Sequence, residues 1–370
     1  MKMGPTKYDF NAHAKRVLGL LVILSMTACS TTPQIQSTSS RPQYLYAANA
    51  GSGTVSAYRI NAVTGALTQV PGSPFVTGLT DMITVNPSGT FAYVQNYFGG
   101  TISGYRITAA TGALTPIQGN PFSTGYLGSR VAINPAGTFA YVGSQNSKTV
   151  LAYRINTSTG ALTPIPGSPF PVAQGPLSIT IDPAGSFAYV VGDEGAVSIL
   201  SIDSASGVLI PVTTSPGNGA ASITISPHGA FAYMAGRKTL SIFRVNTATG
   251  ALTHIPGSPF STGHIQGPIV INSAGTRAYM TIGNSNDVYA YRINPSTGAL
   301  TKIQSGPFRI GNGSPSVTLN PTGTFVYQGG GGQIAVSAYH AAPATGALTL
   351  IRGSPFAAGA NPASLAIAQP

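Results

Sequence analysis

The chain has 370 residues, a formal net charge of +11, one cysteine and no tryptophan, and only 7% of its residues are charged. A single cysteine excludes an internal disulfide, so a large buried core must supply the stability. The basic balance invites a nucleic-acid reading, but there is no basic run and no recognition-helix pattern.

The N-terminal segment carries Lys2, Lys7, Lys15 and Arg16, then an apolar run over residues 17–24, then Ser25, Met26, Thr27, Ala28 and Cys29. A basic stretch, a short apolar stretch and small residues in that order predict an export signal. Thr27, Ala28 and Cys29 resemble the lipobox of a bacterial lipoprotein. That resemblance implies cleavage after residue 28, lipid attachment at Cys29 and anchoring on the periplasmic side of the envelope, the outer membrane included; a soluble periplasmic protein is the alternative. Residues 29–43 are rich in Ser and Thr, lack periodic apolar residues and read as a tether.

From residue 44 to residue 370 the chain is repetitive. The stretch TGALTPIPGSPF at residues 159–170 recurs in near-copies starting at Thr64, Thr111, Thr249, Thr297 and Thr345, with a decayed copy at Ser206. Successive full copies start 47, 48, 90, 48 and 48 residues apart, which gives seven units once the decayed one is counted. Short apolar runs and Gly/Pro turns at this period predict an all-β, seven-bladed propeller of four-stranded blades. In the unit from Arg130, strand one covers residues 130–134 and strand two residues 139–142, joined by an NPAGT turn. Strand three covers residues 149–155, and a second Gly turn at Gly160 returns strand four over residues 162–165.

The innermost strands place Met82, Arg130, Ser178, Ser222, Pro268, Ser316 and Ser364 at one equivalent position, where small side chains suit the taper toward the axis. Six inner strands precede blades two to seven. The seventh, residues 363–368, ends the chain, while the first blade starts at Tyr44 without an inner strand. The C-terminal strand is therefore expected to complete the N-terminal blade and close the ring, leaving no open edge and a monomer.

The two recurring Gly turns lie on one face. The loops between strands two and three, and those between blades, lie on the other and vary from unit to unit, so candidate sites are sought there. They contain Asp81 and Arg130 on the early blades. Asp193, Glu194, Arg237, His264, Asp287 and Arg309 fall on blades four to six or the connections between them. His264 and Glu194 are the candidate catalytic acid/base groups, since an imidazole titrates near neutrality and Glu194 is the sole glutamate. Arg130, Arg237, Asp193 and Asp287 are the candidate substrate-binding groups, Arg130 standing where four blades have Ser. Arg59, Arg106, Arg154, Arg244 and Arg292 share another repeat position, so they are spread around a ring; no nucleic-acid partner is expected, and anionic glycans or lipid headgroups suit such a ring better. No Cys/His set has zinc spacing, no Asp-rich loop suits calcium, and neither a GxSxG motif nor a phosphate loop occurs, so no metal and no cofactor is expected.

The pattern FAYV, AYRIN, TGALT, GSPF and SITIDPAG over residues 139–185 resembles the seven-bladed propellers of the lactonase family, which includes 6-phosphogluconolactonase and fungal carboxymuconate cyclase; YVTN repeats of surface proteins are similar. The resemblance implies hydrolysis of a small lactone. Family enzymes carry a His where this chain has Pro176-Leu177-Ser178, and of their GPRH motif only Gly267 and Pro268 are kept. Two readings stand at this point: an exported lactone (carboxylic ester) hydrolase, or a non-catalytic cell-envelope scaffold binding glycan or protein partners.

Overall fold

The structure, a computed structural model, describes residues 41–124, 128–217, 219–236, 238–261, 266–282, 287–303, 308–309, 315–330 and 332–370. Cys29, Arg237 and His264 lie outside the described residues, as do the signal segment and most of the tether.

Each hairpin is fixed by local chemistry. In the NPAGT turn the backbone N–H groups of Thr138 and Phe139 donate to Asn134 Oδ1 at 2.8 and 2.9 Å, and Gly137 takes a φ of 69° that a side chain would resist. Antiparallel strands follow. Blade 3, for example, orders Ala132–Ile133, Phe139–Ser144, Thr149–Ile155 and Leu162–Pro164 from the axis outward. Blade 1 runs Pro362–Ala368, Gln43–Asn49, Thr54–Ile60, Leu67–Gln69, so the last strand of the chain pairs with the first, Leu45 opposite Ile367 and Tyr46 opposite Ala366. The expected closure is present, and seven such sheets surround the axis.

The GSPF segment adds a short fifth piece to its blade. Phe170–Pro171 pairs with the start of Thr149–Ile155, and Ser168 Oγ accepts the N–H of Ala152 at 2.9 Å, taking the place of a ladder bond. Ser73, Ser258 and Ser354 do the same in blades 1, 5 and 7. Blade 4 lacks this motif. Its outer strand instead continues unbroken as Leu209–Pro216.

The core lies between neighbouring sheets: Tyr44 and Tyr46 of blade 1 pack with Ala92 and Val94 of blade 2, and Leu45 and Leu365 pack with Phe325 and Tyr327 of blade 7. One buried tyrosine per blade crosses each junction. Tyr46, Tyr93, Tyr141, Tyr189, Tyr233, Tyr279 and Tyr327 donate to the carbonyls of Gly112, Gly160, Gly207, Gly250, Gly298, Gly346 and Gly65 in the next blade, at 2.8 to 3.3 Å. The last of these bonds crosses from blade 7 to blade 1. The accepting glycine is the one in TGAL: at Gly160, φ is 80° and an added Cβ would sit 2.5 Å from the Phe91 ring. Conformation and contact both demand glycine there, which accounts for the near-constancy of the motif.

The arginine ring also serves the junctions. Arg106, Arg154 and Arg244 lie over Phe91, Phe139 and Phe231 at 4.8, 4.9 and 5.1 Å, and each donates to a turn carbonyl of the next blade, those of Ser158, Ala205 and Ser296. Stacking and hydrogen bonding together give these exposed cations a structural task.

Candidate functional site

The inner strands converge at the variable face around a cavity of about 430 Å³ lined by Asp81, Met82, Tyr97, Arg130, Pro268, Ser316, Asn361, Ala50 and Ala363. These residues come from blades 1, 2, 3, 6 and 7, so the cavity sits on the propeller axis. Arg130, on the short approach to Ala132–Ile133, reaches past blade 2 and donates to Ser364 Oγ of the C-terminal strand at 2.7 Å. Protein surrounds the guanidinium, yet the axial opening leaves it accessible to solvent; that enclosure lowers its pKa from the ordinary arginine value, and a guanidinium remains cationic all the same.

Asp81 lines the same cavity. Its Oδ2 accepts the backbone N–H of Tyr97 at 2.8 Å, which holds the carboxylate at the start of the blade 2 inner strand, Met82–Val85. The Tyr97 hydroxyl donates to Gln145 Oε1 at 3.2 Å, and Gln145 Nε2 reaches Asp193 Oδ2 at 3.4 Å. A polar chain therefore runs from the cavity across blades 2, 3 and 4. The Gly175 N–H fixes the other oxygen of Asp193 at 3.2 Å.

Circumferential bonds stiffen the inner wall. Ser364 Oγ accepts the Ile83 N–H, Ser316 Oγ accepts the Leu365 N–H, and the hydroxyls of Thr84, Thr180 and Thr224 donate to Val131, Ile223 and Ile269 carbonyls of the following blade. Small residues at the axis thus do more than fit a taper, since they tie adjacent inner strands together.

Of the residues singled out from sequence, Arg130 faces the cavity directly and Asp193 joins it through Gln145. Glu194 is on the exposed rim, where Gln174 Nε2 approaches its Oε2 at 3.4 Å, and it does not line the cavity. Asp287 begins the third strand of blade 6, two strands out from the axis, paired in register with Arg309. His264 and Arg237 lie outside the described residues. Tyr97 escaped the sequence reading, although an aromatic pair, half-buried Tyr97 with exposed Phe98, in a loop where other units have small or polar residues was a usable signal. Among the described residues no cluster of three His, Cys, Asp or Glu side chains could hold a metal ion.

No curated protein sequence matches the chain. Solved structures share its fold. A candidate 6-phosphogluconolactonase of Bacteroides fragilis matches with a TM-score of 0.76 at 17% identity, covering 90% of this chain and 99% of its own. A candidate 6-phosphogluconolactonase of Bacteroides uniformis gives 0.75 at 15%, over 88% and 99%. The periplasmic gluconolactonase PpgL of Pseudomonas aeruginosa gives 0.69 at 17%, over 89% and 100%. The family model for lactonase, 7-bladed beta-propeller, matches residues 44–173 and 169–314, and with seven closed four-stranded blades in place the chain belongs to that lactonase propeller family.

Proposed function

We propose that the protein is a lactone hydrolase that opens a small lactone ring at the axial cavity. One observation carries this reading: a cation, Arg130, and a carboxylate, Asp81, face one cavity of small-molecule size in a lactonase-family propeller. In the proposed reaction Asp81 takes a proton from water as the oxygen attacks the acyl carbon, and Arg130 holds the negative charge that develops on the carbonyl oxygen. The acyl–oxygen bond then breaks, the proton returns to the departing ring oxygen, and a hydroxy acid is left. Asp193, through Gln145 and Tyr97, positions the mouth. Glu194 enters the proposal as an exposed group available to a larger substrate, Asp287 as a binding group further out, and His264 and Arg237, through their loops in the sequence, as candidates for a second proton transfer and for anion binding. The N-terminal pattern supports export and anchoring through Cys29, which would expose the site to extracytoplasmic lactones.

The test is a pH-stat assay of protein lacking residues 1–29 against sugar, aliphatic and homoserine lactones, followed by Asp81→Asn, His264→Ala, Glu194→Gln and Arg237→Ala on whichever lactone responds. Loss of the base should cost about 10²- to 10⁴-fold in rate. Rates equal to buffer across the panel would refute the enzyme and leave the binding scaffold, to be pursued by retention on envelope glycans.

A further inference from the structure

At three blade junctions an arginine on the third strand lies over the preceding strand's phenylalanine and reaches the next blade's turn: Arg106 over Phe91, Arg154 over Phe139, Arg244 over Phe231. Like the junction after blade 4, where Ser201 stands opposite Phe187, the junction between blade 7 and blade 1, where the ring closes, departs from this arrangement. Its phenylalanine, Phe325, is present, and its turn, at Val63, is present, but the arginine position is His340. The imidazole is shorter than the arginine side chain and stands edge-on to Phe325, with ring centroids 6.0 Å apart. It does not bridge to blade 1, and an open groove of about 460 Å³ remains, lined by Val63, Ala66, Phe325, His340, Leu350 and Arg352 among others.

Two features give this groove a chemical character. Its rim is apolar and exposed, Val63 at 79% and Leu350 at 53%, over a buried Phe325. Its charged lining is cationic, because Arg352 projects into it and no carboxylate does. Corresponding positions in the other full copies are Pro71, Gln118, Pro166, Pro256 and Gln304, so Arg352 is the one cation among them. Arg352 makes no ion pair or hydrogen bond with another described residue, unlike the stapling arginines, so its charge is free for a ligand.

We propose that this closure groove is a binding site for a small amphiphilic carboxylate, whose apolar body lies between Val63 and Leu350 and whose carboxylate pairs with Arg352. A guanidinium or ammonium ligand, which would mimic the missing arginine, meets Arg352 as a like charge. An apolar uncharged ligand leaves Arg352 without a partner. The site lies on the recurring-turn side of the ring, away from the axial cavity, and does not depend on any reaction there.

The experiment uses the soluble protein lacking residues 1–29, with phenylacetate, benzylamine and benzyl alcohol as probes observed by NMR titration. Phenylacetate is expected to bind more tightly than the other two. Arg352→Ala, which keeps the groove but removes its charge, is expected to weaken phenylacetate about tenfold, a loss of about 1.4 kcal/mol. His340→Arg should fill the groove in cis, abolish binding and raise the thermal midpoint by restoring the staple, while Ile210→Thr, on the exposed outer strand of blade 4, should leave phenylacetate binding unchanged. Absence of phenylacetate binding to the unsubstituted protein would overturn the proposal. So would tighter binding of benzylamine, or phenylacetate affinity that is the same in all four proteins.

Discussion

Tyr141 shows how a single hydroxyl holds two blades. It is fully buried, and its bond to the Gly207 carbonyl is 3.0 Å. Tyr141→Phe should therefore cost about 1–3 kcal/mol, since a buried acceptor is left unpaired. Urea unfolding of the two proteins checks this. Burial also raises the pKa of these tyrosines above their ordinary value, as at Tyr93, Tyr189 and Tyr327, and it pushes two further tyrosines on third strands, Tyr153 and Tyr291, up to about 12. The sign follows directly. A folded-state pKa above the unfolded value of about 10 contributes stability that is whole below that pH and is lost as pH rises through the folded value. The thermal midpoint should hold steady up to about pH 10 and then fall steeply; a midpoint indifferent to pH up to about 12 would contradict the staple account.

Elements that repeat were legible, and those defined by contacts between units were not. Hairpin turns, four strands per unit and the completing strand could be read because each obeys local rules and recurs at fixed spacing. Arg130 stood out as an exception at a position held by Ser in four other units. The task of Arg106, Arg154 and Arg244 was hidden, because their partners lie in the next blade, 51 or 52 residues along the chain. Asp81 was visible only as one more loop carboxylate; its position at the axis depends on how inner strands converge. Glu194 attracted notice as the sole glutamate, but chemical rarity carries no information about distance from the axis. Closure has its own test: removing residues 363–370 strips blade 1 of its inner strand and Arg130 of its Ser364 partner. The thermal midpoint of the truncated protein should fall by more than loss of an equally long exposed tail produces, and equal midpoints would contradict this closure.

For the whole molecule, the seven junctions form a rigid ring, and the variable face gathers its side chains at one axial mouth. Anchoring through Cys29 would leave that mouth outside the cytoplasm, so Cys29→Ala should move the protein from the membrane fraction to the soluble one, because several acyl chains hold where one would bind weakly. Fractionation with mass spectrometry of the mature N-terminus reads this out; an unmodified N-terminus would contradict it. The central claim is that the axial cation serves the reaction. Its most direct test is kcat/KM of Arg130→Ala on a responsive lactone, with thermal midpoints measured alongside to confirm folding. The account predicts a fall of about 10²- to 10³-fold in a folded protein, as expected for a lost oxyanion donor; turnover at the unsubstituted rate would contradict it.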